Sequence, residues 1–355
     1  MEINPGSAVV ALSGGVDSAL SAALLKREGW DVHGLHFIIP ASPETVESRQ
    51  ERVQKVADFL GIPVTTLDVR EGFKRQIIDP FMDQYLEGET PNPCVTCNER
   101  IKFAYLLQYA EEHDMDRLVT GHYVRLRKGG DNAPVELLRG KDRGKEQSYF
   151  LHRLSQKVLS KALFPLGGMR KSEVREQARN IGLPVHGSPE SQEICFLSGR
   201  DYRHIIEKEK GRGAVTRGHI INEAGDILGE HGGSYRYTIG QRKGLGIASS
   251  DPYYVKEIRP ETGNVVVGRR GDLYATRAEA GFFAWTCGKP PQKIVTAHAQ
   301  VRYRHEAAPG RLEVLANDRV RFIFDEPQWA ITPGQALVCY EGDRVLGGGW
   351  IEQIF

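Results

Sequence analysis

The chain has 355 residues, with 47 basic and 46 acidic side chains. This near-balance excludes a protein that coats nucleic acid through a global positive field, while leaving room for a local basic patch. The length implies two or three domains, and no apolar run approaches the ~18 residues of a membrane span, so a cytosolic protein with no membrane partner is expected.

In chain order, Ala8–Leu12 reads as a short strand ending in a glycine turn. Ser18–Arg27 repeats apolar residues at helical spacing (Ala19, Leu20, Ala23, Leu24) and stops at Gly29. Val32–Ile39 reads as a second strand, Glu44–Leu60 as a polar helix broken by Gly61-Ile62-Pro63, and Val64–Val69 as a third strand. A further helix is expected to begin near Asn98, and Leu118-Val119-Thr120 reads as a strand running into Gly121-His122. Gly129–Pro134 is the clearest exposed loop. Strands alternating with helices imply a mainly parallel sheet, with ligands outside the carboxyl ends of its strands.

After about Tyr202 the character changes. Gly211–Gly218, Gly232-Gly233 and Gly240–Gly246 punctuate short segments such as Asn264–Val267. Near the end, Val295, Ala297, Ala299, Val301 and Tyr303 alternate with Thr296, His298, Gln300, Arg302 and Arg304, and Val320–Phe324, Ala336–Tyr340 and Trp350–Phe355 continue in the same manner. The expected fold class is α/β: an N-terminal parallel sheet with helices on both faces, followed by two small β-rich domains. The expected boundaries are 1–205 for a catalytic domain, 206–275 for a central small β domain and 276–355 for a C-terminal β-barrel.

Chemistry concentrates first at Ser13-Gly14-Gly15-Val16-Asp17-Ser18. Glycines after a strand let bare N–H groups approach phosphate oxygens, and the positive end of the following helix points at the same spot. Asp17 is a candidate magnesium ligand, and Ser13 and Ser18 can donate hydroxyl hydrogen bonds. The Walker spacing and its lysine are absent. The string resembles the loop of the adenine-nucleotide α-hydrolase group, which splits ATP into AMP and pyrophosphate.

Five cysteines, Cys94, Cys97, Cys195, Cys287 and Cys339, are an odd number scattered along a long chain and make a poor disulfide framework. Cys94-Val95-Thr96-Cys97 could be half of a zinc site, but no second pair at suitable spacing follows. With a helix starting at Asn98, Cys97 would sit at its N-terminus, and Arg100 and Lys102 would add positive potential, which lowers a thiol pKa. Cys195 on its own reads as a buried small hydrophobe, and Cys287 and Cys339 as core or surface thiols.

Taken together these segments resemble the bacterial tRNA-specific 2-thiouridylases nearly end to end. The resemblance is carried by S-G-G-V-D-S, Gly34-Leu35-His36-Phe37, Asn92-Pro93 through Cys97-Asn98 and Thr120-Gly121-His122-Tyr123. It continues in Lys145-Glu146-Gln147-Ser148-Tyr149-Phe150-Leu151, Ser191-Gln192-Glu193-Ile194-Cys195-Phe196, Tyr237-Thr238-Ile239-Gly240-Gln241-Arg242-Lys243-Gly244, Arg302-Tyr303-Arg304 and Thr332-Pro333-Gly334-Gln335-Ala336. It implies an ATP-pyrophosphatase-type catalytic domain that adenylates the 2-carbonyl oxygen of the wobble uridine in tRNA. Sulfur would come from a persulfide on Cys195, with Cys97 as partner thiol, either releasing sulfide or forming a disulfide with Cys195.

Carried over position by position, the resemblance implies ATP binding at Ala11, Leu12, Ser13, Gly14, Gly15, Val16, Asp17, Ser18, Phe37 and Gly121, the contact at Phe37 running through backbone. It implies tRNA binding at Asn92, Pro93, Cys94, His122, Lys145, Glu146, Gln147, Arg302, Tyr303 and Gln335. The basic run Arg125, Arg127, Lys128, Arg139, Lys141, Arg143 and Lys145 is either a solvated face or a phosphate-backbone contact. Implied cofactors are ATP and Mg2+. Implied partners are the lysine, glutamate and glutamine tRNAs and a persulfide-donating relay protein or cysteine desulfurase, acting on a monomer. Cys94 departs from the pattern, since many relatives have aspartate there. Cys94, Cys97 and Cys195 could instead hold a [4Fe–4S] cluster. Two alternatives to persulfide transfer therefore stand: that cluster-dependent variant, and another adenylating ligase of the same loop class.

Overall fold

Five parallel strands form the first sheet: β1 (Ser7–Ala11), β2 (Asp31–Ile38), β3 (Val64–Asp68), β4 (Arg117–Val119) and β7 (Ala162–Leu163), in the order β3-β2-β1-β4-β7. The computed structural model describes residues 5–130, 133–187, 194–197, 199–210 and 217–355. The expected motif residues Ser191–Glu193, part of the Gly129–Pro134 loop and part of Gly211–Gly218 fall outside these. Parallel neighbours need crossovers, supplied by α1 (Val16–Arg27) after β1 and α2 (Pro43–Leu60) after β2. Ser42 caps α2 by accepting a hydrogen bond from the Thr45 N–H, Pro43 opens the first turn, and Gly61 ends it in left-handed backbone. Burying a side chain such as Leu20 of α1 contributes roughly 1.5–3 kcal/mol.

One sheet face packs α1, α2 and the helix Lys171–Ile181 around Leu20, Val53 and Val174. The other face packs Phe103, Leu106 and Tyr149 together with Ala336, Val338, Tyr340 and Val345 from the far end of the chain. The N-terminal unit and the C-terminal strands thus share one core.

The C-terminal strands β12 (Tyr274–Trp285), β13 (Ile294–Gln300), β14 (Ala308–Val314), β15 (Val320–Trp329), β16 (Ala336–Glu341) and β17 (Arg344–Ile354) run β12-β15-β14-β13-β16-β17, and β12 pairs with β17 to close a barrel. A hairpin on either side of the expected Gly129–Pro134 loop, β5 (Val124–Arg127) and β6 (Glu136–Arg139), extends this sheet through β6 against β17. Between the two units, β8 (Gly218–Ile221), β9 (Ile227–His231), β10 (Tyr254–Arg259) and β11 (Asn264–Gly268) form a separate sheet in the order β10-β11-β8-β9. The observed architecture is the expected α/β class, a parallel sheet followed by two β-rich units. Among the described residues no helix is long and apolar enough to cross a membrane.

Candidate functional site

The loop between β1 and α1 ties itself together. Ser18 Oγ accepts from the Ser13 N–H at 3.2 Å and donates to the Gly15 carbonyl at 3.1 Å, so the 3.1 Å contact between the two serine hydroxyls has Ser13 as donor. The Gly15 N–H donates to Ser13 Oγ at 3.3 Å. Gly14 has φ +75, and a Cβ there would lie 3.2 Å from the Arg49 carbonyl oxygen of α2. A Cβ on Gly121, at the end of β4, would sit 2.8 Å from the Asp17 carbonyl carbon and 2.9 Å from the Ser18 nitrogen. Ala11, Leu12, Gly15 and Val16 complete the stretch between the strand and the first helical turn, whose N–H groups have no intrahelical partner. This is the crevice between β1 and β4, where the strand order reverses and α/β sheets bind ligands. The Phe37 ring is tilted against Tyr105 at 6.4 Å and packs into the core, leaving its backbone at the strand end.

Asp17 is not a bare carboxylate. Lys171 Nζ donates to its two oxygens at 2.6 and 2.7 Å, and the Tyr123 hydroxyl donates at 2.7 Å. Lys171 is a site residue that sequence reading misses; a basic residue opening an amphipathic helix carries no distinguishing signal. Magnesium typically takes one or two carboxylates together with substrate phosphates, so Asp17 fits as a single protein ligand of a nucleotide-bound ion.

The thiols lie on a helix that starts earlier than expected. Pro93–Cys97 is helical, Asn98–Lys102 continues as a π-turn and Phe103–Glu112 follows. Cys97 is therefore at a joint inside a helix, not at an N-terminus, and the expected lowering of its pKa is corrected: burial pushes the thiol up to about 12. Burial likewise pushes Cys94 up to about 11. Cys195 is exposed to solvent, yet the protein packed around it also raises its pKa, with Lys102 and Arg49 pulling the other way. Lys102 acts on all three thiols. The π-turn explains its reach, because a turn of i→i+5 bonds brings Cys97 and Lys102 toward one face of the helix.

Cys97 packs on the same hydrophobic cluster as Ile194 and Phe196, which flank Cys195. The Arg49 guanidinium donates to the Cys195 carbonyl oxygen at 3.3 Å. One residue of α2 thus borders the phosphate loop with its main chain and holds the Cys195 turn with its side chain. All five cysteines are free thiols. Among the described residues no group of three or more His, Cys, Asp or Glu is arranged to hold a metal ion.

The residues expected to meet tRNA fall into two groups. His122 is buried, stacked on Phe103, with Nδ1 2.7 Å from Thr120 Oγ1 and Nε2 3.4 Å from Lys102 Nζ. Glu146 is buried and accepts from the Ser148 N–H at 3.0 Å and hydroxyl at 2.6 Å, with Arg139 at 3.7 Å. Ser148 leads on to Tyr340 and Gln300 of the barrel. These two side chains organise the interior and hold their neighbours, rather than presenting themselves at the surface. Partly exposed are Asn92, Cys94, Lys145, Gln147, Arg302, Tyr303 and Gln335, with Pro93 buried beside them. Gln147 Oε1 accepts from the Tyr123 N–H at 3.1 Å. β13 ends at Gln300, so Arg302 and Tyr303 occupy the turn beyond it and not a strand face. Arg302 donates to the carbonyls of Trp329 and Ala330 at 3.1 and 3.3 Å. Tyr303 lies 4.3 Å from the Phe150 ring, and Cys94 acts on it electrostatically. Gln335 Nε2 donates to the Thr90 carbonyl at 2.8 Å, so the barrel pins the turn that leads into Pro93 and Cys94.

Much of the basic run is paired within the chain. Arg125 and Arg143 share Asp343, Arg127 pairs with Glu136, Lys141 with Glu173, and Arg139 lies 3.7 Å over the Tyr340 ring.

The chain matches three family models in succession: a tRNA methyl transferase HUP domain over residues 7–199, a tRNA methyl transferase PRC-barrel domain over 208–269, and an aminomethyltransferase beta-barrel domain over 277–351. It is similar to the tRNA-specific 2-thiouridylase MnmA of Geobacter metallireducens, 45% identical across 97% of this chain and 96% of that protein. The proteins of the same name from Acidithiobacillus ferrooxidans and Carboxydothermus hydrogenoformans are 42% and 44% identical, each across 97% of this chain and 98% and 97% of their own lengths.

Proposed function

We propose that this chain, which belongs to the tRNA-specific 2-thiouridylase family, is an ATP-dependent tRNA-uridine 2-sulfurtransferase working at the Ser13–Ser18 loop and the thiols Cys97 and Cys195. The model descriptions speak of methyl transfer, the relatives' names of thiolation. A phosphate cradle beside paired thiols is what thiolation needs, and the single observation carrying this reading is Arg49, which links the cradle to Cys195.

The loop, with Ala11–Ser18, Phe37 backbone and Gly121, holds ATP. The uridine 2-carbonyl oxygen attacks the α-phosphorus, pyrophosphate leaves, and the oxygen becomes part of an AMP leaving group. Asp17 is the residue that would hold a magnesium ion, which would supply charge neutralisation there. Lys171, paired with Asp17 in the free enzyme, would turn its ammonium to the phosphate oxygens. A persulfide on Cys195, delivered by a relay protein or desulfurase, supplies the sulfur. Its terminal sulfur attacks the activated carbon and AMP departs. Cys97 then attacks Cys195 Sγ, breaking the persulfide S–S bond and leaving the sulfur on uridine and a Cys97–Cys195 disulfide for an external thiol to reduce. In the other order, Cys97 first releases sulfide as the attacking species. Lys102 stabilises whichever thiolate forms. The anticodon loop enters beside Asn92–Cys94, with Lys145, Gln147, Arg302, Tyr303 and Gln335 along its path and His122 and Glu146 supporting them. A looped-out base makes access cheap. The catalytic, central and barrel units would span 1–205, 206–275 and 276–355.

Incubating the protein with unmodified tRNA, ATP, magnesium and a persulfide source, then running a mercury-containing gel, tests this. A retarded tRNA band dependent on ATP is expected; no band with an active persulfide source rejects the reading.

A further inference from the structure

The segment Thr238–Tyr253 in the central unit, with its Thr-Ile-Gly-Gln-Arg-Lys-Gly string, has no role in the reaction above. It is a loop held from within. The Gly240 N–H donates to the Val255 carbonyl at 2.8 Å and the Val255 N–H to the Gln241 carbonyl at 3.0 Å. Gln241 closes it again, its Oε1 accepting from the Thr238 N–H at 3.1 Å and its Nε2 donating to the Lys243 carbonyl at 3.0 Å. Gly244 and Gly246 have φ +78 and +68, backbone that side-chain-bearing residues rarely adopt, so the loop exposes main chain there. Gly240 abuts the barrel: a Cβ on it would meet Ala330 at 3.0 Å and Trp329 at 3.1 Å.

This frame borders an open concavity of about 240 Å³, lined in part by Arg242, Gly244, Gly246, Ser249, Asp251 and Tyr253. Arg269 closes one side, 3.8 Å over the Tyr253 ring and donating to the Asp251 carbonyl at 2.6 Å. Arg242 and Lys243 are exposed, and among the described residues neither side chain has an acidic partner. The contrast with the run 125–143 is instructive, since there nearly every cation meets a carboxylate. Two adjacent like charges on a preordered loop repel each other, and no described carboxylate is paired with either. An external anion would offset that repulsion. Glycine main chain beside such cations is also suited to phosphate oxygens.

We propose that this loop is a second docking point for the tRNA substrate, in which Arg242 and Lys243 take two backbone phosphates and the Asp251 carboxylate accepts a ribose 2′-hydroxyl. The assignment rests on tRNA being the substrate. RNA is favoured over an acidic protein because each of its phosphates comes with a ribose 2′-hydroxyl that can donate to the Asp251 carboxylate, a donor that an acidic side chain lacks.

The test uses the full chain, wild type against Arg242→Ala/Lys243→Ala, whose exposed side chains take no part in the bonds that hold the loop. Binding of unmodified tRNA is measured from 50 to 200 mM salt. Wild-type binding and thiolation test the underlying reading; the variant tests the loop. The expected result is a salt slope shallower by about two, near 0.9 per lost phosphate contact, with KM for tRNA raised roughly tenfold and kcat at saturating tRNA unchanged. Asp251→Asn should weaken RNA but not a DNA of the same sequence. An unchanged slope with active wild type overturns the proposal. So does a variant that loses only binding of inorganic phosphate, or only its response to a protein sulfur donor.

Discussion

Arg49 Nη2 donates a hydrogen bond to the Cys195 carbonyl oxygen at 3.3 Å, while the Arg49 carbonyl faces Gly14 of the phosphate loop. Helix α2 thus joins the Ser13–Ser18 loop to the Cys195 turn, the proposed nucleotide and sulfur sites. Removing the guanidinium frees the Cys195 turn without touching the loop. Arg49→Met should slow sulfur transfer by about 10–100-fold through lost positioning, while pyrophosphate release stays within a factor of about two. Single-turnover assays of thiolated tRNA and pyrophosphate check this, and equal losses in both would refute the division of labour.

Lys171 and Asp17 form the second pair, at 2.6 Å. If the ammonium moves to phosphate when nucleotide binds, Lys171→Ala should cut pyrophosphate release by about 10²–10³-fold, in the range of other preorganised electrostatic groups. Lys171→Arg should restore part of it. Unaltered release in Lys171→Ala would show that the pair is only structural.

The thiols give a pH signature. With Cys97 pushed up to about 12 by burial, alkylation by iodoacetamide in the free enzyme should keep rising through pH 9 and 10 without a plateau. Lys102→Met removes a charge that lowers all three thiols, so at pH 9 alkylation should fall on the order of tenfold, the equivalent of one pKa unit. The linked stability follows the same sign. The unfolded thiol ionises first, so folding free energy declines as pH climbs above about 8.5. A plateau near pH 8 would contradict the assigned environment.

Buried histidines set the acid limit. Burial lowers His36, His122 and His152, the last to about 3, and Lys102 lowers His122 further. An ammonium only donates, so Nε2 of His122 accepts and its Nδ1–H faces Thr120 Oγ1. Stability from these neutral rings is complete above pH 6.5 and is lost as pH falls below it, because only the unfolded rings take up protons readily. Differential scanning fluorimetry should show Tm falling by several degrees between pH 7.5 and 5.5. A flat profile would show that the rings are already solvated.

Period and punctuation made the first sheet legible: Ala8–Leu12, the Gly29 stop and Gly61-Ile62-Pro63 each mark an element that exists. Local signals failed where long-range packing decides. Nothing near Val124–Arg139 announces that this hairpin extends a barrel built some two hundred residues later. The helix expected at Asn98 starts at Pro93, because proline is welcome in a first turn, and that shift reversed the inferred electrostatics of Cys97. Glu146, in a charged string, is buried and accepts from its neighbour Ser148. Lys171 and Arg49 were invisible because their partners lie 154 and 146 residues away.

The most direct test loads the enzyme with persulfide and follows one turnover on unmodified tRNA with ATP. Peptide mass spectrometry tracks the Cys195 persulfide and a mercury gel tracks the tRNA. The account predicts that sulfur leaves Cys195 with the same rate constant as thiolated tRNA appears, and that Cys97→Ser blocks the product while AMP still forms. Thiolated tRNA appearing at the wild-type rate from Cys195→Ser enzyme would contradict it.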